Sequence, residues 1–171
     1  MIEIRPATIE DAPAITAIYN QGITERTATF EIAPRRVEDI RPRIGDSRYP
    51  LLVAMDGDAV VGWAGLSSYR PRDCYAGIAE FSFYIEAASR GHGIGKRLLH
   101  ALVDEAREHG FWKLVSRVFT FNQASRSACG AVGFREVGTY EKHGQLDGRW
   151  LDVVIVERLI PENLSTSSRC C

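Results

Sequence analysis

The run from Ile78 to His109 constrains the fold most, because it joins a strand pattern to a helix pattern through a glycine-rich loop. In its first part, IAEFSFYIE, apolar and polar residues alternate, as along a strand with one buried face. The apolar set is Phe81, Phe83 and Ile85, and the alternating set is Glu80, Ser82 and Tyr84. After RGHGIG, apolar residues recur at helical spacing, namely Leu98, Leu99, Leu102, Val103 and Ala106, until Gly110. The run therefore predicts a strand, a loop and an amphipathic helix.

The rest of the chain predicts further strands and helices on both sides of this run. Their order is β-α-(α)-β-β-β-α-β-α-β-β, which predicts a mixed α/β, or α+β, class with one central sheet. The predicted strands are 2–5, two runs within 51–69 around Asp56-Gly57, 78–86, 112–120, 134–142 and 149–159, with 143–148 as the last connection. The predicted helices run from the Thr8/Asp11 capping pair to Gly22, over 37–46 despite Pro42, from the glycine loop to Gly110, and from Asn122 to about Val132.

Length and charge predict one domain without a polyelectrolyte partner. The 171 residues suit a single domain over 1–161, followed by a polar tail, 162–171, that we expect to be disordered. A formal net charge of −1 gives no global attraction to nucleic acid or to an anionic membrane. No apolar run is long enough to span a bilayer, and the start MIEIRPATIED is too charged for a signal peptide. We expect a cytoplasmic protein.

The cysteines and histidines do not predict a metal site or a disulfide framework. Cys74, Cys129, Cys170 and Cys171 show no paired-ligand spacing, and the last two are adjacent in the tail. The histidines lack such spacing as well; they are His92, His100, His109 and His143. We therefore expect no bound metal.

The glycine loop admits three interpretations. A P-loop requires a glycine where this chain has Arg90 and a serine or threonine after Lys96, so that interpretation fails at both ends. A dinucleotide fingerprint fits Gly91 and Gly93 but requires a glycine at the position of Lys96, so it is weak. The third is an anion site, in which the first N–H groups of a helix bind a diphosphate that glycine allows to approach. A merely flexible loop is the simpler alternative, but three glycines between two cations favour the anion site.

RGHGIG resembles the acetyl-coenzyme A (acetyl-CoA) motif of the GNAT N-acetyltransferases, with Arg90, Gly93 and Gly95 at its fixed positions. Further similar stretches are IRPAT…DAPAI, VVGWAG, NQASRSACGAVGF and GRWLDVV. The last two are most similar to the branch that acetylates phosphinothricin, methionine sulfoximine and arsinothricin. The resemblance implies the GNAT fold, a central, mostly antiparallel twisted sheet flanked by helices. It also implies acetyl-CoA as co-substrate, a small amino-acid substrate and a homodimer.

The resemblance also implies which residues bind the co-substrate. Backbone groups of the strand before the loop hold its arm and polarise its carbonyl, and an asparagine after the next strand contacts the arm. Asn122, at that place, can equally cap the following helix, and both roles can hold together. The implied set is Phe83, Tyr84, Ile85, Arg90, Gly91, His92, Gly93, Ile94, Gly95, Lys96, Asn122 and Ser125.

Acyl transfer to an amine requires a base, because an amino group with a pKa of about 8 or higher is mostly protonated at neutral pH. Glu80 is the candidate general base, acting directly or through water. The alternative is a carboxylate on a solvated strand face, and the family resemblance favours the base. Many GNAT members place a tyrosine or histidine where this chain has Cys129, to protonate the leaving thiolate. Cys129 is thus a candidate general acid, while a buried structural thiol, with water as the acid, is the alternative.

The candidate substrate residues are scattered along the sequence. Arginine forks suit carboxylate, phosphinate or arsonate groups, although a single arginine is often only a surface charge. Aromatic residues can form pocket walls or belong to the core. The set is Phe30, Trp63, Arg70, Arg72, Tyr75, His143 and Arg149.

These inferences predict an enzyme that acetylates the α-amino group of a small anionic amino-acid analogue and so detoxifies it. Two alternatives stay open. One is a peptide or protein N-acetyltransferase, and the other is a CoA-binding sensor without turnover, against which Glu80 argues.

Overall fold

The computed structural model describes residues 1–164, which form a seven-stranded sheet with helices on both faces. The strands are β1 (Ile2–Pro6), β2 (Leu51–Asp56), β3 (Ala59–Ser68), β4 (Ile78–Ile85), β5 (Lys113–Phe119), β6 (Arg135–Leu146) and β7 (Arg149–Leu159). The helices are α1 (Ala12–Glu25), α2 (Val37–Ile44), α3 (Ile94–Glu108) and α4 (Gln123–Ala131). The predicted mixed α/β class is confirmed.

The sheet is mostly antiparallel and runs in the order β1-β2-β3-β4-β5-β7-β6. Strands β4 and β5 are its parallel pair, since α3 crosses over between them. Their pairing covers only Ile78–Glu80 against Lys113–Val115, although both strands continue beyond it. The two strands therefore diverge after Glu80, and a cleft opens in the middle of the sheet.

Two hydrophobic clusters hold the helices on the sheet. The larger one lies on the α3/α4 face and includes the helix residues predicted to be buried, as well as Phe81. The smaller one lies on the α1/α2 face, and Tyr84 packs against it; its buried members are Ile15, Ile18, Ile40, Leu51, Val53 and Trp63. The predicted alternation along β4 is thus confirmed, and it directs Glu80 and Ser82 to the same face as Tyr84.

The first predicted helix end was wrong, and the reason is a long-range contact. Helix α1 continues past Gly22 to Glu25 and ends where Arg26 adopts a left-handed φ of 60°. A Cβ at Gly22 would lie 2.6 Å from a ring carbon of Tyr84, so glycine is needed there for packing. No local pattern distinguishes such a glycine from a helix stop.

The predicted last connection was also wrong in its first part. Strand β6 extends to Leu146, because a bulge between Tyr140 and Gly144, with Lys142 at a φ of 46°, lets the strand continue. The turn is the two-residue Asp147-Gly148, with φ values of 48° and 77°, as its hairpin chemistry predicts.

The chain remains attached to the domain beyond β7. Pro161–Asn163 form a 3-10 turn, and the Asn163 amide donates hydrogen bonds to the carbonyls of Arg107 and Phe111, both at 2.8 Å. The rest of the predicted tail, residues 165–171 with Cys170 and Cys171, lies outside the described residues. Within residues 1–164, no helix is both long and apolar enough to cross a bilayer, and no cluster of metal-ligating side chains occurs.

Candidate active site

A cavity of about 390 Å³ opens beside the end of β4, a volume within the usual range for small-molecule sites. Its walls come from β4, the start of α3, α4 and the end of α1. Every residue predicted to contact the cofactor lines it except His92, which is exposed beside the loop. The lining members of that set are Phe83, Tyr84, Ile85, Arg90, Gly91, Gly93, Ile94, Gly95, Lys96, Asn122 and Ser125.

The glycine loop presents bare backbone to this cavity. Gly91 and Gly93 have φ values of 81° and 76°, and no atom lies within 4 Å of a Cβ placed on either residue. Helix α3 begins directly afterwards, so its first N–H groups lack intrahelical partners. A Cβ at Gly95 would lie 3.2 Å from the Phe83 ring, which shows that α3 packs closely on β4. This geometry suits a bound anion.

Two cations flank the loop in different ways. The Arg90 guanidinium forms an ion pair with Glu25, at 2.8 Å, and donates a hydrogen bond to the Ile85 carbonyl, at 3.0 Å. Lys96 is exposed on the cavity wall and makes no ion pair within residues 1–164. A positive helix end beside the apolar Phe83 suits acetyl-CoA, in which an anionic diphosphate is joined to a long arm of alternating alkyl and amide groups.

Asn122 performs its structural role and also faces the cavity. Its side-chain oxygen accepts a hydrogen bond from the Ser125 N–H, at 3.1 Å, which caps α4 as predicted. Its amide nitrogen donates to the Thr27 carbonyl, at 3.0 Å. The residue therefore ties the start of α4 to the segment that follows α1, and both segments line the cofactor cavity.

A second cavity, of about 320 Å³, lies on the α1/α2 face of the sheet, and Glu80 stands on its wall. One nitrogen of Arg117 donates to both Glu80 carboxylate oxygens, at 2.8 and 2.9 Å, across the point where β4 and β5 diverge. A smaller cavity within the cleft shares Ser82 with the second cavity and Phe83 with the first. Glu80 thus lines the second cavity, and its partner Arg117 lines the smaller cavity that lies between the second cavity and the first.

Charged side chains line the second cavity. Glu31 accepts hydrogen bonds from two Arg35 nitrogens, Nε at 2.7 Å and Nη2 at 2.6 Å, and from the Tyr19 hydroxyl, at 2.8 Å. Burial alone would raise the pKa of Glu31, but these hydrogen bonds outweigh it and the pKa is lowered. Burial and the Glu31 hydrogen bond raise the pKa of Tyr19 to about 12, so Tyr19 remains a phenol at neutral pH.

The model of the Acetyltransferase (GNAT) family matches residues 15–134, well over half of the chain. The chain belongs to the GNAT acetyltransferase family. It is 35% identical to an L-methionine sulfoximine/L-methionine sulfone acetyltransferase from Pseudomonas paraeruginosa, over 90% of this chain and 92% of that protein. The predicted family and enzyme class, an N-acetyltransferase, are therefore confirmed.

Solved GNAT structures agree with the fold. A phosphinothricin acetyltransferase from Sinorhizobium meliloti, solved with acetyl-CoA, is similar with a TM-score of 0.90 and 32% identity, over 97% of this chain and 92% of that one. A ribosomal-protein-alanine N-acetyltransferase from Brucella melitensis is similar with a TM-score of 0.85 and 35% identity, over 92% of this chain and 99% of that one. GNAT relatives with different acceptor amines thus share this fold.

Cys129 lies in the core of this GNAT chain, only 1% exposed, and lines none of the three cavities described above. Burial, assisted by the negative charge of Glu136, raises the pKa of its thiol to about 12. This placement matches the buried alternative, and Cys129 does not face the cleft as a general acid would.

We therefore expect Cys129→Ala to change kcat by less than about threefold and to cost about 1 kcal/mol of unfolding free energy, since a small buried group is lost. Initial-rate kinetics and urea unfolding test this. A large fall in kcat at unchanged KM would show that the thiol takes part in proton transfer after all.

The predicted aromatic substrate residues fall into two groups. Phe30 packs edge-on against Phe119, with ring centroids 4.8 Å apart, and its ring lies 6.3 Å from that of His143. Trp63 is fully buried and stacks on Tyr84 at 5.0 Å, so it belongs to the core alternative. Phe30, Trp63 and His143 line neither the first nor the second cavity within the single chain.

The remaining predicted substrate residues lie apart from the cavities. Arg70 and Arg72 are exposed after β3, and Tyr75 packs edge-on against Tyr69 at 5.9 Å. Arg149 is exposed at the β6–β7 turn. None of these four side chains lines the second cavity within the single chain, and their role in substrate binding stays a prediction.

The sequence interpretation missed the charged wall of the second cavity. Its residues come from the irregular segment after α1 and from α2, and they include Glu31, Arg35 and Arg43. The sequence carried only a weak signal, because the four arginines in RRVEDIRPR (residues 35–43) resemble a solvated helix face. Only the packing of α2 over the sheet distinguishes the half-buried Arg43 from its exposed neighbours Arg36 and Arg41.

Proposed function

We propose that this chain is an acetyl-CoA-dependent N-acetyltransferase that acetylates the α-amino group of a small anionic amino acid of the phosphinothricin, methionine sulfoximine or arsinothricin type. The observation that carries the proposal is a carboxylate, Glu80, on the wall of the charged cavity, which a smaller cavity joins to the glycine-loop cavity through the neighbouring residues Ser82 and Phe83. The names of the relatives support the substrate class. The activity is a detoxification, and it operates in the cytoplasm, where the co-substrate is available.

The chemistry follows from the two cavities. Acetyl-CoA, when bound, supplies an acetyl group activated as a thioester. Glu80 accepts the proton of the substrate ammonium, directly or through a water molecule, so that the nitrogen lone pair becomes available. Arg117 donates to both carboxylate oxygens and so restricts the orientation of the Glu80 carboxylate.

The backbone of β4 supplies the second contribution. Pairing with β5 ends at Glu80, so the following residues, 82–85, border the cleft rather than a neighbouring strand on that side. Backbone N–H groups there can stabilise the charge that develops on the carbonyl oxygen, which is independent of side-chain identity. Because the Cys129 thiol is buried, water supplies the proton to the leaving thiolate.

A panel of amines tests the proposal. Free CoA thiol is measured with acetyl-CoA and phosphinothricin, L-methionine sulfoximine, arsinothricin, glutamate or an alanine-initiated peptide. We expect the amino-acid analogues to give the highest kcat/KM. Preferred turnover of the peptide would favour a protein N-acetyltransferase, which the Brucella melitensis relative supports. No thiol release with any amine would favour a CoA-binding sensor.

We also propose that the chain forms a homodimer through the β6–β7 hairpin. Strand β6 is an edge of the sheet, and large apolar side chains are exposed on the hairpin, including Val137 (48% exposed), Tyr140 (54%) and Trp150 (57%). Light scattering measures the molar mass in solution. Wild type should have twice the mass of one chain, and Trp150→Glu should have the mass of one chain. The matched change Ile9→Glu, at an exposed apolar residue far from this hairpin in the chain, should leave the mass unchanged. A monomeric wild type would contradict this.

A further inference from the structure

Arg43 is a half-buried cation in the second cavity that pairs with no acidic side chain among residues 1–164. It lies on α2, and its guanidinium stands over the Trp63 ring, 5.4 Å from the centroid. Within residues 1–164 it makes no hydrogen bond and no ion pair, and burial lowers its pKa. Removing a cation from water without an anion is unfavourable, so a guanidinium placed in this way is suited to binding an anionic ligand.

The other charged groups of the cavity already have partners. Arg35 is paired with Glu31, Asp39 with Arg36, and Glu80 with Arg117. Among the described residues that line this cavity, Arg43 is therefore the cation that remains for an incoming anion.

Strand β3 places Arg43 at a useful distance from Glu80. A Cβ at Gly65 would lie 3.5 Å from an Arg43 terminal nitrogen, so the guanidinium sits above Gly65. Gly65 pairs with Ser82, and Ser67, the next residue on the same face, pairs with Glu80. Two residues along a strand span about 7 Å. The α-amine and α-carboxylate of an amino acid, each with a hydrogen bond of about 2.9 Å, bridge a separation of this order.

We propose that Arg43 binds the α-carboxylate of the amine substrate while Glu80 faces its amino group. This inference rests on the proposed function and places carboxylate recognition on α2 rather than on Arg70, Arg72 or Arg149. A guanidinium can donate two parallel hydrogen bonds to a carboxylate, and the Trp63 ring below it restricts its orientation.

A comparison of two substrates across four proteins tests the assignment. The substrates are L-methionine sulfoximine and its α-carboxamide, and the proteins are wild type, Arg43→Gln, Arg43→Lys and the exposed control Arg41→Gln. We expect wild type and Arg41→Gln to prefer the acid over the amide by about tenfold to a hundredfold in kcat/KM, as for loss of a charge-assisted hydrogen bond. Arg43→Gln should bring this ratio close to one, and Arg43→Lys should give an intermediate ratio. The KM for acetyl-CoA should not change.

The outcomes separate this inference from the proposed function. If wild type acetylates the acid but Arg43→Gln retains the wild-type ratio, the carboxylate site is elsewhere and the proposed function stands. If wild type acetylates neither compound nor any amine of the panel, the proposed function fails and the assignment fails with it. If Arg43→Gln does not fold, the test uses Arg43→Lys instead. An acid-over-amide ratio in Arg43→Lys equal to that of wild type overturns the inference.

Discussion

Replacing Glu80 with glutamine is expected to lower kcat by about 10²–10⁴-fold, the usual contribution of a general base. Glutamine retains the shape and a hydrogen-bond acceptor for Arg117, but it cannot take a proton from the ammonium. The KM for acetyl-CoA should stay within about twofold, because Glu80 does not line the cofactor cavity. The measurement is initial-rate thiol release at saturating acetyl-CoA.

Glu3→Gln is the matched control for this change. Glu3 is an exposed carboxylate on β1, at the opposite edge of the sheet from β6. It should retain wild-type kcat and KM. Wild-type turnover in Glu80→Gln, with the control also normal, would remove Glu80 from the reaction.

Replacing Gly93 with valine is expected to weaken acetyl-CoA binding by about a hundredfold or more, since the anion site at the start of α3 depends on close backbone approach. Gly93 lines the first cavity, has a φ of 76°, and has no atom within 4 Å of a placed Cβ. A branched side chain would strain the loop and occupy the space needed by the diphosphate. Calorimetric titration with acetyl-CoA measures the change in Kd.

Gly110→Val separates the loss of the anion site from backbone strain. Gly110 has a φ of 79°, likewise has no atom within 4 Å of a placed Cβ, and follows the opposite end of α3. Both variants should therefore lose a similar free energy of unfolding, roughly 1–2 kcal/mol for a left-handed residue. Only Gly93→Val should lose acetyl-CoA affinity. If both variants lost the same affinity for acetyl-CoA, general destabilisation would explain the loss, and the anion site at Gly93 would be contradicted.

Local patterns were enough to predict the strand, the anion-binding loop and the helix on one side of the site, whereas acetyl-CoA and its contact residues were implied by the family resemblance. The alternation along β4, the glycines of the loop and the helical period of α3 each lie within a few residues of the chain. The capping of α4 by Asn122 is local as well. These are the features that the structure places together around the first cavity.

The substrate side could not be predicted in the same way. Arg43 and its exposed neighbour Arg41 lie in the same short helix, on either side of Pro42, so the local sequence does not tell them apart. Which of the two side chains faces the cavity depends on how α2 packs over β3, a contact between distant parts of the chain. The helix end predicted at Gly22 was wrong for the same reason, because Gly22 packs against Tyr84, which is remote in sequence.

The most direct test of the account is a crystal structure of the Glu80→Gln protein with acetyl-CoA and L-methionine sulfoximine. We predict the diphosphate at Gly91–Gly95, the α-carboxylate on Arg43, and the α-amine beside residue 80, roughly 3–3.5 Å from the thioester carbon. An amine bound beside Arg70 and Arg72, with the second cavity empty of substrate, would contradict the account.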